Sequence, residues 1–164
     1  MVKLSQLILG IDPGLQKTGY GVIEKNGNSL KAITCGVIKP DTSLDLSLRL
    51  AHLHEELLIV LKQYSLTSVA IEETFVNKNP ASALKLGMAR GVLMMTPSLL
   101  KIPVFEYSAN KVKKAVVGVG HAEKEQVMMM IRHFFPLFSE KLTPDSADAL
   151  AIAICHAHHL DRPF

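Results

Sequence analysis

Two apolar runs in this chain each end on an acid. Leu7-Ile8-Leu9-Gly10-Ile11 closes on Asp12, and Val69-Ala70-Ile71 closes on Glu72. Short apolar runs of this kind read as buried strands, and an acid that ends such a strand points its carboxylate out of the sheet edge. Asp145 and Asp148 lie three apart at the start of a helical stretch from Asp145 to His159, so they share one helix face. Carboxylates gathered this closely resist ionising together unless a cation neutralises them. Hard divalent ions such as Mg²⁺ prefer these oxygen ligands and keep waters for chemistry. The expected catalytic and metal-ligating set is therefore Asp12, Glu72, Asp145 and Asp148.

At 164 residues, residues 1–164 are expected to form one domain able to bury its own core. Hydrophobic residues make up 48% and charged residues 20%, the balance of a soluble globular protein. No apolar stretch approaches the roughly 18 residues needed to span a bilayer, and the first apolar run is too short for a signal peptide. Cys35 and Cys155 lie far apart without metal-ligand spacing. They read as free, buried thiols in a reducing cytoplasm.

The net charge of +3 hides an asymmetry. Between Asn77 and Ala122, Lys78, Lys85, Arg90, Lys101, Lys111, Lys113 and Lys114 face one acid, Glu106, so that segment carries +6 and the remainder −3. A basic middle beside an acidic cluster suits a phosphodiester substrate, although a solvated positive face would give the same count.

The first half reads as a three-stranded antiparallel meander: Gln6 to Asp12, Thr18 to Glu24 and Leu30 to Ile38, with turns at Pro13-Gly14 and Asn26-Gly27. Leu50, Leu53, Leu57 and Leu61 set a helix over Leu44 to Tyr64. A fourth strand spans Ser68 to Glu72, and a second helix runs from Pro80 to Met95, stopped near Pro97. A short fifth strand, Pro103 to Tyr107, precedes helices from Ser108 to Val116 and from Ala122 to Phe135. Thr143 is the expected N-cap of the last helix, with Pro144 at its first position. Three strands followed by alternating helices and strands predict a mixed α/β sheet covered by helices.

Gly10-Ile11-Asp12-Pro13-Gly14, followed by Thr18-Gly19-Tyr20-Gly21, is expected to leave backbone space for a ligand near the aspartate. It is neither a Walker loop nor a dinucleotide fingerprint, because no helix follows the turn. Of the neighbours Glu72 and Glu73, a strand directs only one into the site, and Glu72 is preferred. Ala83, Gly87 and Gly91 form a smooth stripe, for packing in the core or across a dimer axis. Met128-Met129-Met130 reads as core filling. His156, His158 and His159 read as surface residues at a fraying end, and the tail from about residue 157 is expected to be loose.

Taken together, these blocks resemble the RuvC family of bacterial Holliday-junction resolvases, within the RNase H-like superfamily. The matching runs are Ile8 to Gly14, Thr18 to Gly21, Ala70 to Phe75, Ser82 to Gly87 with Ala89-Arg90-Gly91, Pro103 to Tyr107, Lys113 with Val116-Val117-Gly118, Ala122-Glu123-Lys124, and Asp145 to Ala151. His121 departs softly from the pattern.

The resemblance implies a mixed five-stranded sheet, three antiparallel strands then two more, flanked by helices. It also implies a homodimeric endodeoxyribonuclease of recombination and DNA repair that nicks opposed strands of a four-way DNA junction, leaving 5′-phosphate ends. Two Mg²⁺ ions per site are implied, with Mn²⁺ able to substitute, and the RuvA–RuvB branch-migration complex is the implied partner. Family matches put the metal ligands at the four acids named above, a base-contacting aromatic at Phe75, and DNA-contacting lysines at Lys113 and Lys124. Phe75 either stacks on an unpaired base or packs as a lid. The wider expected DNA-binding set adds Lys78, Lys85, Arg90, Lys111 and Lys114.

Three competing functions share parts of this pattern, and the intact carboxylates argue against the last of them. An actin-like ATPase shares the first hairpin but needs a second domain that 164 residues cannot supply. An RNase H-type nuclease on RNA–DNA hybrids shares the carboxylates. A non-catalytic junction-binding module shares the basic segment.

Overall fold

The computed structural model describes residues 4–74 and 79–160. Ten elements follow in chain order: β1 (Gln6–Asp12), β2 (Thr18–Asn26), β3 (Ser29–Ile38), α1 (Leu46–Gln63), β4 (Ser68–Glu72), α2 (Pro80–Leu99), β5 (Val104–Tyr107), α3 (Ala109–Val117), α4 (Lys124–Phe134) and α5 (Pro144–His159). The strands form one five-stranded sheet in the order β3-β2-β1-β4-β5. β1, β2 and β3 pair antiparallel, whereas β4 pairs parallel to both β1 and β5. The expected meander and mixed sheet are therefore present.

Period-two alternation along the strands divides the core between the two sheet faces. Ile8, Ile23 and Ala70 pack with residues of α3, α4 and α5. Leu9, Ile11, Val69 and Ile71 pack with Leu53, Leu57 and Leu61 of α1 and with Ala89 and Leu93 of α2. From Ala149 through Ala157 every residue of α5 is buried, so this helix is apolar on all sides.

The close fit of α5 depends on missing side chains beneath it. A Cβ built on Gly10 would lie 2.0 Å from the Ala149 carbonyl oxygen. Gly10, Gly19 and Gly21 thus do not hold open a ligand space as the sequence suggested, because α5 occupies it; Gly14 instead packs against the Lys17 carbonyl. Ala149 and Ala153 complete the approach from the other side.

Three local expectations need correction. α2 continues through Pro97 to Leu99, because a proline in the last turn leaves few ladder bonds to lose, and Leu100 N–H closes the end on the Pro97 carbonyl. The C-terminal histidines do not fray: α5 extends through His159, Ala157 is fully buried, and His156 is 1% exposed. The His156 ring bridges two strands, Nδ1 lying 2.7 Å from the Tyr107 hydroxyl and Nε2 2.9 Å from Ser68 Oγ. Finally, Met128 and Met130 pack against the core, but Met129 faces solvent. Both cysteines are buried thiols outside any disulfide among the described residues, as expected.

Candidate active site

Strand direction brings the first two acids together. β1 and β4 run parallel with Ile11 opposite Ile71, so the next residues, Asp12 and Glu72, leave the sheet side by side at the same edge. Arg90 of α2 steadies this edge: its Nε donates to the Glu72 carbonyl oxygen at 3.0 Å, and its Nη2 pairs with the Glu106 carboxylate on β5. On the far side of Glu72, Glu73 N–H donates to the Tyr107 carbonyl at 2.9 Å.

The other two acids arrive on α5, whose start is firmly capped. Ser146 N–H donates to Thr143 Oγ1 at 3.2 Å, and Thr143 N–H donates back to Ser146 Oγ at 2.9 Å. Glu140, just upstream, accepts from Thr34 Oγ1 and from Cys35 N–H, both at 3.0 Å, which ties the approach to α5 onto β3. With Pro144 at the first helical position, Asp145 lies in the first turn and Asp148 in the next.

Asp12, Glu72 and Asp148 line a cavity of about 230 Å³, walled by Val112, Val127 and Ala151 and flanked by Lys113 and Lys124. Asp145 does not line it, yet its charge acts on both Asp12 and Asp148. Glu73 is absent from the lining. Lys113 is placed by α3, whose N-cap Ser108 accepts from Lys111 N–H, and Lys124 opens α4.

The electrostatics of this cavity are those of crowded, buried carboxylates. Burial first, then the charges of Asp148, Glu72 and Asp145, push the Asp12 carboxyl up to about 8. Glu72 and Asp148 are also raised, chiefly by burial, with Lys113 and Lys124 opposing. Acids this crowded cannot all ionise without a positive partner, and Lys124 alone does not return Asp12 to the ordinary range. Oxygen donors that gain by being neutralised together fit one or more hard divalent ions. Among the described residues, no three such side chains already close on one point as a finished metal cage.

The remaining predicted residues scatter. Lys111 and Lys114 are exposed on α3, and Lys85 is exposed on α2. Arg90 is engaged within the protein rather than presented to solvent. Phe75 and Lys78 lie outside the described residues. The stripe of Ala83, Gly87 and Gly91 faces outward: a Cβ on Gly87 or Gly91 would meet nothing within 4 Å. Sequence reasoning missed the roles of Arg90 and His156, because a charge count and a histidine count carry no sign of a buried partner.

The order of the sheet and the acids at the ends of β1 and β4 and on α5 define an RNase H-like nuclease fold. The chain matches the family "Crossover junction endodeoxyribonuclease RuvC" over residues 8–156. It is 53% identical over 152 residues to a protein of that name from Xanthobacter autotrophicus, covering 93% of this chain and 89% of that protein. A Brucella anthropi protein of the same name is 52% identical over 152 residues, covering 93% of this chain and 88% of that one. Among solved structures, T. thermophilus RuvC in complex with Holliday junction substrate superposes with a TM-score of 0.87 at 33% identity, covering 94% of each chain. The chain belongs to the RuvC family of crossover junction endodeoxyribonucleases.

Proposed function

We propose that this protein is a structure-specific endonuclease that resolves four-way DNA junctions by paired hydrolytic nicks in opposed strands, during recombination and DNA repair in the cytoplasm. The observation that carries this reading is the Asp12–Glu72–Asp148 cavity with lysines on its rim. A similar T. thermophilus protein has been captured with a Holliday junction substrate.

Asp12, Glu72, Asp145 and Asp148 are the residues that would hold divalent ions, with Mg²⁺ favoured and Mn²⁺ able to substitute. Ions held there would supply the means to activate a water and to stabilise the departing 3′ oxygen, chemistry that would give 5′-phosphate products. The protein supplies the rest. Arg90 fixes the backbone that carries Glu72. Lys113 and Lys124 set a positive rim that draws the scissile phosphate toward the acids. Lys78, Lys85, Lys111 and Lys114 are the further proposed contacts to backbone phosphates, and Phe75 is the proposed base-stacking group. Arg90, being paired internally, acts by positioning β4 rather than by touching DNA.

Two opposed cuts require two sites, and one chain offers one carboxylate cluster. A two-fold homodimer would match a substrate with two-fold symmetry. Its proposed contact is the outer face of α2, where Leu84, Met88, Met95 and Leu99 lie exposed along one stripe with Gly87 and Gly91. RuvA–RuvB is the proposed branch-migration partner.

The test is separation of binding from cutting. Asp12→Asn, Glu72→Gln and Asp145→Asn should each abolish nicking with Mg²⁺ while retaining junction binding, because the lysine contacts to phosphate remain. A variant that cuts at near wild-type rate removes that residue from the proposed metal ligands.

A further inference from the structure

A second positively charged cleft opens beside the carboxylate edge and contains no acid. It has a volume of about 510 Å³ and lies between the β1–β2 turn, α1 and the first turns of α2. Lys17 comes from the turn, Arg49 from α1, and Lys85 with Ser82 from α2. Neither Lys17 nor Arg49 belongs to the basic middle segment, so the count along the sequence gave no sign of them.

Three observations point this cleft toward an anion. Among the described residues, no carboxylate pairs with Lys17, Arg49 or Lys85, in contrast to Arg90, which is neutralised by Glu106. Arg49 is only half anchored: its Nη2 donates to the Leu15 carbonyl at 3.2 Å, but its Nε–H is buried without a hydrogen-bond partner. A buried guanidinium N–H left unpaired carries an uncompensated desolvation cost, which a small shift toward an oxygen ligand would recover. The turn itself is preset, since Gly14 N–H donates to Thr18 Oγ1 and that hydroxyl donates back to the Gly14 carbonyl at 2.6 Å. Gly14 stands two residues beyond Asp12, which ties this turn to the end of β1.

We propose that this cleft is a phosphodiester subsite, in which Lys17, Arg49 and Lys85 hold the DNA backbone next to the strand being cut. The proposal rests on the nuclease reading above and extends its footprint to α1. A flexible strand or arm seated here would be fixed relative to Asp12 without touching the carboxylates. Removing these cations should therefore weaken substrate binding and raise KM.

The experiment uses the full chain, a labelled four-way DNA junction and a plain DNA duplex, with EDTA present so that nothing is cut. Lys17→Gln/Lys85→Gln is the main variant because both side chains are exposed. The slope of log Kd against log salt should fall by about 1.8, roughly 0.9 for each phosphate that is no longer neutralised. Arg49→Gln should weaken binding, and Arg49→Lys should restore part of it.

An unchanged salt slope in the double variant overturns the subsite. If Arg49→Lys binds as poorly as Arg49→Gln and both lower Tm, Arg49 merely holds the Leu15 carbonyl and its place in the subsite falls. Inorganic phosphate at matched ionic strength separates the two possible sources. Selective displacement of DNA from wild type, but not from the double variant, would assign the cleft to free phosphate and overturn the DNA assignment. A wild type that never cuts the junction with Mg²⁺ would remove the nuclease reading alone, while the slopes on plain duplex would still decide the cleft.

Discussion

Gly19 on β2 lies directly against Asp145 on α5: a Cβ at Gly19 would sit 2.1 Å from the Asp145 carbonyl oxygen. The pair connects the first hairpin to α5 at the level of the acids, since Gly19 is also the β2 partner of Asp12. A glycine in the sequence is thus what sets the separation between two acids that lie 133 positions apart.

Gly19→Ala should consequently damage both stability and activity. The obstacle is backbone rather than a flexible side chain, so α5 must move, and overpacking of this kind costs about 1–3 kcal/mol. The expected result is a Tm several degrees lower and nicking reduced more than junction binding. Thermal melting and a cleavage assay on the same preparation measure both. Wild-type Tm and wild-type nicking would show that α5 does not rest on this glycine.

Asp12→Asn should stabilise the metal-free protein while abolishing catalysis. Asp12 has its carboxyl raised from 3.8 to about 8, so the fold prefers it protonated. Its favourable contribution is full below about pH 4 and is lost as the pH climbs through 8. The gain from asparagine should therefore be absent near pH 4 and largest above about pH 8. Melting curves in EDTA across that range check the sign. A variant less stable than wild type at high pH would contradict the crowding of acids described above.

The pH response at the acid end should come from His156. Burial, then the neighbouring His159, push this imidazole down to about 4 from an ordinary value near 6.5. A depressed histidine contributes stability that is present above 6.5, declines as pH falls through the interval, and is gone below about 4. Wild type should lose Tm across that window more steeply than His156→Gln, which starts lower at neutral pH. Parallel slopes for the two proteins would place the acid sensitivity elsewhere.

Gly87→Arg and Gly91→Arg should shift the protein toward monomer and abolish paired cleavage without unfolding it, because space around both glycines is open. Sedimentation at micromolar concentration is the measurement. A wild type that stays monomeric even with junction bound would end the proposal that α2 forms a two-fold interface.

Much of the architecture was legible because its signals are local. The acid-terminated runs became β1 and β4, the turns at Pro13-Gly14 and Asn26-Gly27 bounded the meander, and Thr143-Pro144 opened α5. What failed depended on contacts distant in sequence. The run of C-terminal histidines looked polar enough to fray, but Tyr107 and Ser68 satisfy both nitrogens of His156 and make its burial tolerable. Arg90 counted as a free cation only until Glu106 and the Glu72 carbonyl were brought beside it. The hairpin glycines looked like room for a ligand because nothing in their own segment indicates that a helix from the far end of the chain fills it. For the same reason Lys17 and Arg49, separated in sequence from the basic middle, gave no hint of a shared cleft.

The decisive measurement is incubation of the wild-type protein with an end-labelled mobile four-way DNA junction, with and without Mg²⁺, beside an RNA–DNA hybrid duplex. Symmetric nicks in opposed junction strands should appear only when Mg²⁺ is present, with 5′-phosphate ends that a ligase reseals, and with little cleavage of the hybrid. Cleavage of the hybrid in preference to the junction, or junction cleavage unaffected by EDTA, would contradict a metal-dependent junction resolvase.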